Sequence, residues 1–144
     1  MRIRKARRSD VERIAKLSGE LGYPATAAQI ATRLRQLKPA SKHAVFVAES
    51  PDAAPGLVGW LHVSVSHLLE NDIRAEVNGL IVAEGQRSAG AGAKLLDAAE
   101  EWARRHGCQR MNVRSNVIRG RAHKFYERQG YEHYKTQKAF RKQL

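Results

Sequence analysis

Residues 75–117 carry the pattern that most restricts the fold. "AEVNGLIV" (75–82) reads as a strand rich in β-branched residues, and "RMNVRSNV" (110–117) reads as another. Between them Leu95, Leu96, Ala99 and Trp102 recur at helical spacing in a segment from about Ala89 to Arg105, and Gly107 stands at a C′ position. A strand–helix–strand crossover is right-handed and joins parallel strands. The chain is therefore expected to build a central sheet with helical cover, in an α/β or α+β fold.

The flanking segments extend that sheet. "RIRKA" (2–6) alternates as a half-buried strand does. Ser9 and Glu12 match a capping box, followed by Val11, Ile14, Ala15, Leu17 and Leu21 on one helical face and a stop at Gly22. Thr26 and Gln29 repeat the box, Ile30, Leu34 and Leu37 share a face, and Pro39 ends that helix. "HAVFVAE" (43–49), the turn "SPDAAPG" (50–56) and "LVGWLHVSVSH" (57–67) predict an antiparallel hairpin, and "LLENDI" (68–73) a loop. Beyond residue 117, "GRAHKFYERQ" (120–129) predicts a helix stopped by Gly130, and "YEHYKTQKAF" (131–140) a last strand. The order is β-α-α-β-β-β-α-β-α-β, without internal repeats, in a single domain over residues 1–144.

Composition narrows the function classes. Cys108 is the only cysteine, which excludes an intrachain disulfide and a cysteine zinc cluster; it reads as a small apolar residue. No metal-ligand set stands out. No run reaches the roughly 18–20 apolar residues of a membrane span. "MRIRKARRSD" has no apolar segment of a signal peptide behind it, so a cytoplasmic protein is expected. The net charge of +12 is dispersed. It suits anionic partners in general and selects none. Residues 9–37 also resemble a helix-turn-helix in outline, which keeps a DNA-binding module as a rival reading, although it leaves residues 75–140 unexplained.

The segment "EGQRSAGAGAKLL" (84–96) joins the first crossover strand to its helix. Helix N-terminal amides lack intrahelical acceptors and, with the helix dipole, make an anion site. Gly90 and Gly92 permit close backbone approach, and Arg87, expected to be exposed, can grip a phosphate. The P-loop pattern fails because Ala93 precedes Lys94 and Leu95 stands where Ser or Thr is required; the dinucleotide fingerprint fails because Leu95 replaces its third glycine.

The spacing that fits is Q/R-x-x-G-x-G/A, here Arg87, Ser88, Ala89, Gly90, Ala91 and Gly92. It resembles the acetyl-CoA loop of the GCN5-related N-acetyltransferase (GNAT) superfamily. Asn116, Phe125-Tyr126 and Gly130-Tyr131 stand at that family's spacing, and "ELGYP" (20–24) resembles its N-terminal half. Glu84 departs from the pattern, since many members have proline there. "SNVIRGRAHKFYERQGYEHYK" is similar to aminoalkylphosphonate and other small-amine acetyltransferases.

The resemblance implies a mixed sheet of about six to seven strands, splayed at a β-bulge, with about four flanking helices. It implies acetyl-CoA as co-substrate and a primary amine as acceptor, attacked directly in a ternary complex. Asn78-Gly79 inside a strand is the expected bulge, with a packing glycine as the other reading of Gly79. By the resemblance, Leu80, Ile81 and Val82 pair with pantetheine, a backbone amide near Ile81 or Val82 faces the thioester oxygen, and Arg87, Ser88, Ala89, Gly90, Ala91, Gly92 and Ala93 hold the pyrophosphate. Asn116 is implied at the pantetheine arm, and Arg119, Arg121 and Lys124 can meet the phosphates, with solvated helix-end charge as the other reading of each. Tyr126 is implied as general acid toward the thiolate, with packing beside Phe125 as its other reading. Glu76 can relay the amine proton through water or be a solvated strand end, while His62 and His67 read as ordinary hairpin histidines, with a place in the acceptor pocket as their other reading. The acceptor stays open between small amines and protein amines. A non-catalytic acyl-CoA sensor is a further alternative, and a homodimer is compatible with the sequence.

Overall fold

The alternating segments form strands and the 3.6-periodic ones helices. In the computed structural model these are β1 (Arg2–Lys5), α1 (Val11–Glu20), α2 (Ala27–Gln36), β2 (His43–Glu49), β3 (Leu57–Ser66), β4 (Arg74–Val82), α3 (Ala91–Arg105), β5 (Met111–Val113) and α4 (Gly120–Arg128). All residues are described except Leu21, Ala54 and Pro55, together with the side chain of Ser88. The place of Leu21 on the first helix's inner face, and that of Ala54 and Pro55 in the hairpin turn, thus lie outside the described residues. The chain forms two compact units, Met1–Val113 and Arg114–Leu144.

The first unit is built on one sheet in the order β1-β2-β3-β4-β5. The first three pairings are antiparallel, as the hairpin signals require, and β4 and β5 are parallel, as the crossover requires. Its two faces are distinguished by register. Val47, Trp60 and Ile81 form one cross-strand row, and Ala48, Gly59 and Val82 the next, on the opposite face. On the first face α1 places Ile14 and Leu17 against Val47, Leu57 and Ile81, with Trp60 and Ile30 packed alongside. On the second, Leu95 of α3 comes so close that a Cβ on Gly59 would stand 3.2 Å from its Cδ1 and 2.8 Å from the Ile81 carbonyl oxygen. Leu95, Leu96 and Trp102 are almost fully buried. At roughly 1.5–3 kcal/mol per buried large apolar side chain, α3 is firmly anchored. By contrast α2 buries no side chain completely.

Helix termini follow local chemistry. Thr26 Oγ1 accepts from the Gln29 amide and Gln29 Oε1 from the Thr26 amide, as the capping box predicts. The Gly107 stop is also found: with φ +80° it lets its own amide reach Arg104 O and the Cys108 amide reach Ala103 O. Gly22 ends α1 the same way, its amide bonded to Gly19 O and that of Tyr23 to Ser18 O.

Four expectations are corrected. The sheet has five strands among the described residues, not six to seven. Residues 131–140 form no strand: six of those ten residues are polar or charged, the stretch is almost wholly exposed, and no ladder pairs it. The strand expected over 110–117 is confined to Met111–Val113, the length over which it pairs with Ala75–Val77. At the first helix the reciprocal cap is made by Asp10, whose Oδ2 accepts from the Arg7 amide, and the chain enters through a 3-10 turn, Arg8–Asp10. Asp10 is recruited because Arg4 holds it from the other side, Nη1 to Oδ2 at 2.8 Å and Nη2 to Oδ1 at 2.9 Å.

The second unit contains α4. Its end is another glycine stop, with Gly130 at φ +90°, the Tyr131 amide on Tyr126 O at 3.0 Å and the two rings edge to face at 5.9 Å.

Candidate active site

Strand β4 deforms at the expected place. His62 pairs with Gly79 and Val63 with Val77, so Asn78 is the extra residue of a bulge. The parallel ladder to β5 ends at Val77, immediately before it. From Asn78 to Val82 the strand pairs with β3 on one edge, and no β5 ladder covers the other. Backbone groups on such an edge can accept an extended ligand as a further strand.

The strand then leads into the glycine segment. Glu84–Ala89 winds as a 3-10 turn, Gly90 takes φ +80°, and α3 begins at Ala91. The helix expected to start near Ala89 thus starts two residues later, because the left-handed Gly90 interrupts the run. The first α-helical bond of that turn is Lys94 N–H to Gly90 O at 3.1 Å, leaving the amides of Ala91, Gly92 and Ala93 at a helix N-terminus. A Cβ on Gly90 would meet nothing within 4 Å, so the approach is open. Arg87 is half-buried rather than exposed. The chemistry of this segment fits a pyrophosphate, with helix N-terminal amides, a helix dipole and one guanidinium.

On the α1 face of the sheet the polar residues gather. Glu76 is buried and paired with Arg74, Oε1 to Nη2 at 3.2 Å. Asn78 Nδ2 donates to Ser64 Oγ at 2.7 Å. His62 Nε2 lies 3.3 Å from His43 Nδ1, with the rings stacked at 5.5 Å. Burial, and secondarily the neighbouring His43, push His62 down to about 4. Trp60 Nε1 and Arg74 Nε are buried donors without an acceptor. The Trp60 indole crosses Gly79: a Cβ there would stand 2.9 Å from Cη2 and Cζ3. Gly79 is therefore a packing glycine as well as part of the bulge.

Sequence comparison speaks to the same elements. The profile described as the Acetyltransferase (GNAT) family matches residues 9–131. The chain belongs to the GNAT family. A curated relative, the aminoalkylphosphonate N-acetyltransferase of Salmonella typhimurium, is 36% identical over 86 residues, or 58% of this chain and 56% of the relative. The matched segment thus spans little more than half of that protein's length. Among solved structures, the aminoglycoside 6'-N-acetyltransferase AAC(6')-IG of Acinetobacter haemolyticus has a TM-score of 0.82 at 17% identity, covering 100% of this chain and 99% of its own. The aminoglycoside N-acetyltransferase AAC(6')-Iy, solved in complex with CoA, has a TM-score of 0.84 at 18% identity, covering 99% of this chain and 95% of its own. At such identities the likeness is one of fold. GNAT enzymes use acetyl-CoA as acyl donor, and the β4 edge and the segment after it have the groups to hold one.

The other expected GNAT site residues belong to the second unit. Asn116 organises its own turn: its Oδ1 accepts from the Ile118 amide at 3.2 Å, and its carbonyl from the Arg119 amide and lies 2.8 Å from His123 Nε2. Arg119 precedes α4, and Lys124 is exposed on it. Tyr126 is half-buried between Phe125, with ring centroids 5.2 Å apart, and Tyr131. Burial raises its phenol above the usual value and Arg119 acts in the opposite sense, so the hydroxyl keeps its proton at neutral pH. Cys108 is buried, and its thiol is pushed up by that burial, as an apolar packing residue's should be.

Two features escaped the sequence. His43 lies 19 residues from His62, and only the hairpin register brings them together. The contact of Trp60 with Gly79 likewise needs the bulge to be placed first. Elsewhere, a depression of about 880 Å³ lies between β1, the start of α1 and the turn after β2. Several of the charges there are paired, Arg4 with Asp10 and Glu49, and Arg13 with Glu20. Among the described residues no helix is long and apolar enough to cross a membrane. No group of three metal-ligating side chains occurs among them either.

Proposed function

We propose that this GNAT chain is an acetyl-CoA-dependent N-acetyltransferase, residues 1–144 acting as one domain, and that its acceptor is a small primary amine. The observation that carries the reading is the course of β4. Its bulge at Asn78, its open edge over the next residues and the helix N-terminus behind Gly90 form one continuous track of backbone donors and acceptors.

In this reading Leu80, Ile81 and Val82 pair with pantetheine. The pyrophosphate takes the Arg87 guanidinium and the backbone amides of the segment Arg87, Ser88, Ala89, Gly90, Ala91, Gly92 and Ala93. Asn116 binds the pantetheine arm, and Arg119 and Lys124 meet the phosphates. The neutral amine attacks the thioester carbonyl, and the oxyanion is held by a backbone amide near Ile81 or Val82. Collapse breaks the C–S bond, and Tyr126 gives its proton to the departing thiolate. Glu76 takes up the proton that the ammonium loses, through water. Arg74 Nε, a buried donor on the same face of β4 as Glu76, favours an acceptor that also carries a hydrogen-bond acceptor, such as a phosphonate or a sugar hydroxyl. The reaction belongs where acetyl-CoA is, in the cytoplasm.

The test is a panel of amines with acetyl-CoA and a free-thiol readout, including an aminoalkylphosphonate, an aminoglycoside, a polyamine and a lysine peptide. Turnover confined to small amines supports the reading. Tight CoA binding by calorimetry with no turnover on any amine supports an acyl-CoA sensor instead.

A further inference from the structure

The amine must lose a proton on a face of the sheet that is largely covered, so that proton needs a way out. Glu76 stands opposite Ser64 in register, and His62 opposite Gly79, on the same face. Such diagonal cross-strand neighbours have Cβ atoms on the order of 7–8 Å apart, a gap that one water bridges. From His62 the contact continues, Nε2 to His43 Nδ1 at 3.3 Å. His43 opens β2, directly after the exposed Ser41 and Lys42.

We propose that His62 and His43 form a proton path from the acceptor face to solvent, used once per turnover. The inference rests on the acetyltransferase reading above. The exchange balances. The proton shed by the ammonium and taken up by Glu76 passes through the bridging water to His62 Nδ1, the proton on His62 Nε2 passes to His43 Nδ1, and the proton on His43 Nε2 leaves to water. The pair is reset by reorientation: each imidazole turns so that its protonated nitrogen again faces outward, no proton moves back to the site, and the net movement is one proton to solvent. No oxidant or further reactant is needed.

Two further facts support the path. The first is the charge around the pair. Facing it are Glu76 and Arg74 on β4, which neutralise one another at 3.2 Å, and β3 adds only His62 itself. From α1 the half-buried charge is Arg13, bonded to the Leu57 carbonyl at the far end of β3. Among the described residues these are the buried or half-buried charges on β3, β4 and α1, and each is paired or hydrogen-bonded. The second is that the His62 imidazole stays neutral at rest. With His62 at about 4, about one molecule in a thousand carries its second proton at pH 7. A neutral His62 does not repel an arriving ammonium, and it passes a proton on rather than storing it.

These are positioning residues, and the test uses readouts beyond loss of activity. In ¹⁵N-histidine spectra of the full chain, His62 and His43 should show the complementary tautomers of an N–H···N bond, and His62 should stay neutral down to about pH 5. Independent titration of the two, with His62 near 6.5, would overturn the path whether or not the enzyme turns over. On the best amine from the panel, His62→Gln and His43→Gln should each lower kcat about 10-fold or more at low buffer strength, the low end of proton-transfer contributions. Acetyl-CoA affinity should hold, and added imidazole should restore part of the loss. Full kcat at low buffer in both variants, or a loss that buffer and imidazole do not relieve, would overturn it. If the wild-type chain acetylates no amine at all, it is the acetyltransferase reading that fails, and the spectra still report on the pair.

Discussion

The indole of Trp60 lies across Gly79, leaving 2.9 Å where any other residue would need to place a Cβ. Trp60 itself packs against the cluster of Ile14, Leu17, Val47, Leu57 and Ile81, so it has little room to retreat. Gly79→Ala should therefore cost about 1–3 kcal/mol, the range of overpacking a filled core. Gly59→Ala should cost more, because there the obstacle includes the Ile81 carbonyl oxygen at 2.8 Å, which cannot rotate away. Urea denaturation of the two variants checks the order; equal stabilities would contradict it.

Gly90 separates charge from geometry. At φ +80° any side chain is strained, while its Cβ would be in open space. Gly90→Ala should thus lose about 1 kcal/mol of stability and keep most of its CoA affinity. Gly90→Asp brings a carboxylate to the helix N-terminus where the pyrophosphate is assigned, and should weaken CoA far more than Gly90→Ala. Calorimetry on the two folded variants decides, and matching affinities remove the pyrophosphate from this segment.

Tyr126→Phe removes one hydroxyl and keeps the two ring contacts. Proton donation contributes about 10²–10⁴-fold, and the thiolate of CoA leaves tolerably without help, so a fall near 10²-fold in kcat is expected with acetyl-CoA binding unchanged. Because burial raises the phenol, the wild-type alkaline limb should lie above the ordinary tyrosine value near 10. An unaltered kcat assigns Tyr126 to packing alone.

Arg4 and Asp10 tie β1 to the entry of α1. The Arg4 guanidinium holds the Asp10 carboxyl below its usual range, with the Arg7 amide assisting. A depressed carboxyl stabilises the fold above its unfolded value, near 3.9, and that contribution is lost as pH falls through the folded value. Asp10→Asn should therefore cost about 1.5–3 kcal/mol at pH 7, the worth of a hydrogen bond to a charge, and shrink in effect toward pH 3. Thermal melts across that range check the convergence.

Much of the architecture was legible because it is local. The hairpin, the crossover, the Thr26 cap and the stops at Gly22, Gly107 and Gly130 each follow from a few adjacent residues. Asn78-Gly79 signalled the bulge because glycine has little reason to sit inside a strand. What failed depended on partners that local pattern does not contain. The alternation over 131–140 implied a strand, yet a strand exists only where a ladder forms. Ser9 and Glu12 matched a cap, but Arg4, brought alongside by β1, favoured Asp10. Sequence also left Glu76 open between a proton relay and a solvated strand end; its burial and its pair with Arg74 exclude the solvated strand end. The contact between His43 and His62 required the register of the whole hairpin.

The absence of any fully buried side chain on α2 sets the order in which the molecule comes apart. Its link to the core cluster is the partly buried Ile30. Detaching it exposes little apolar surface, so its amides should exchange with deuterium through a small local opening, long before those of α3, whose Leu95, Leu96 and Trp102 surrender only with the sheet. The chain thus pairs a helix that can open locally with a sheet that holds its shape while it does so.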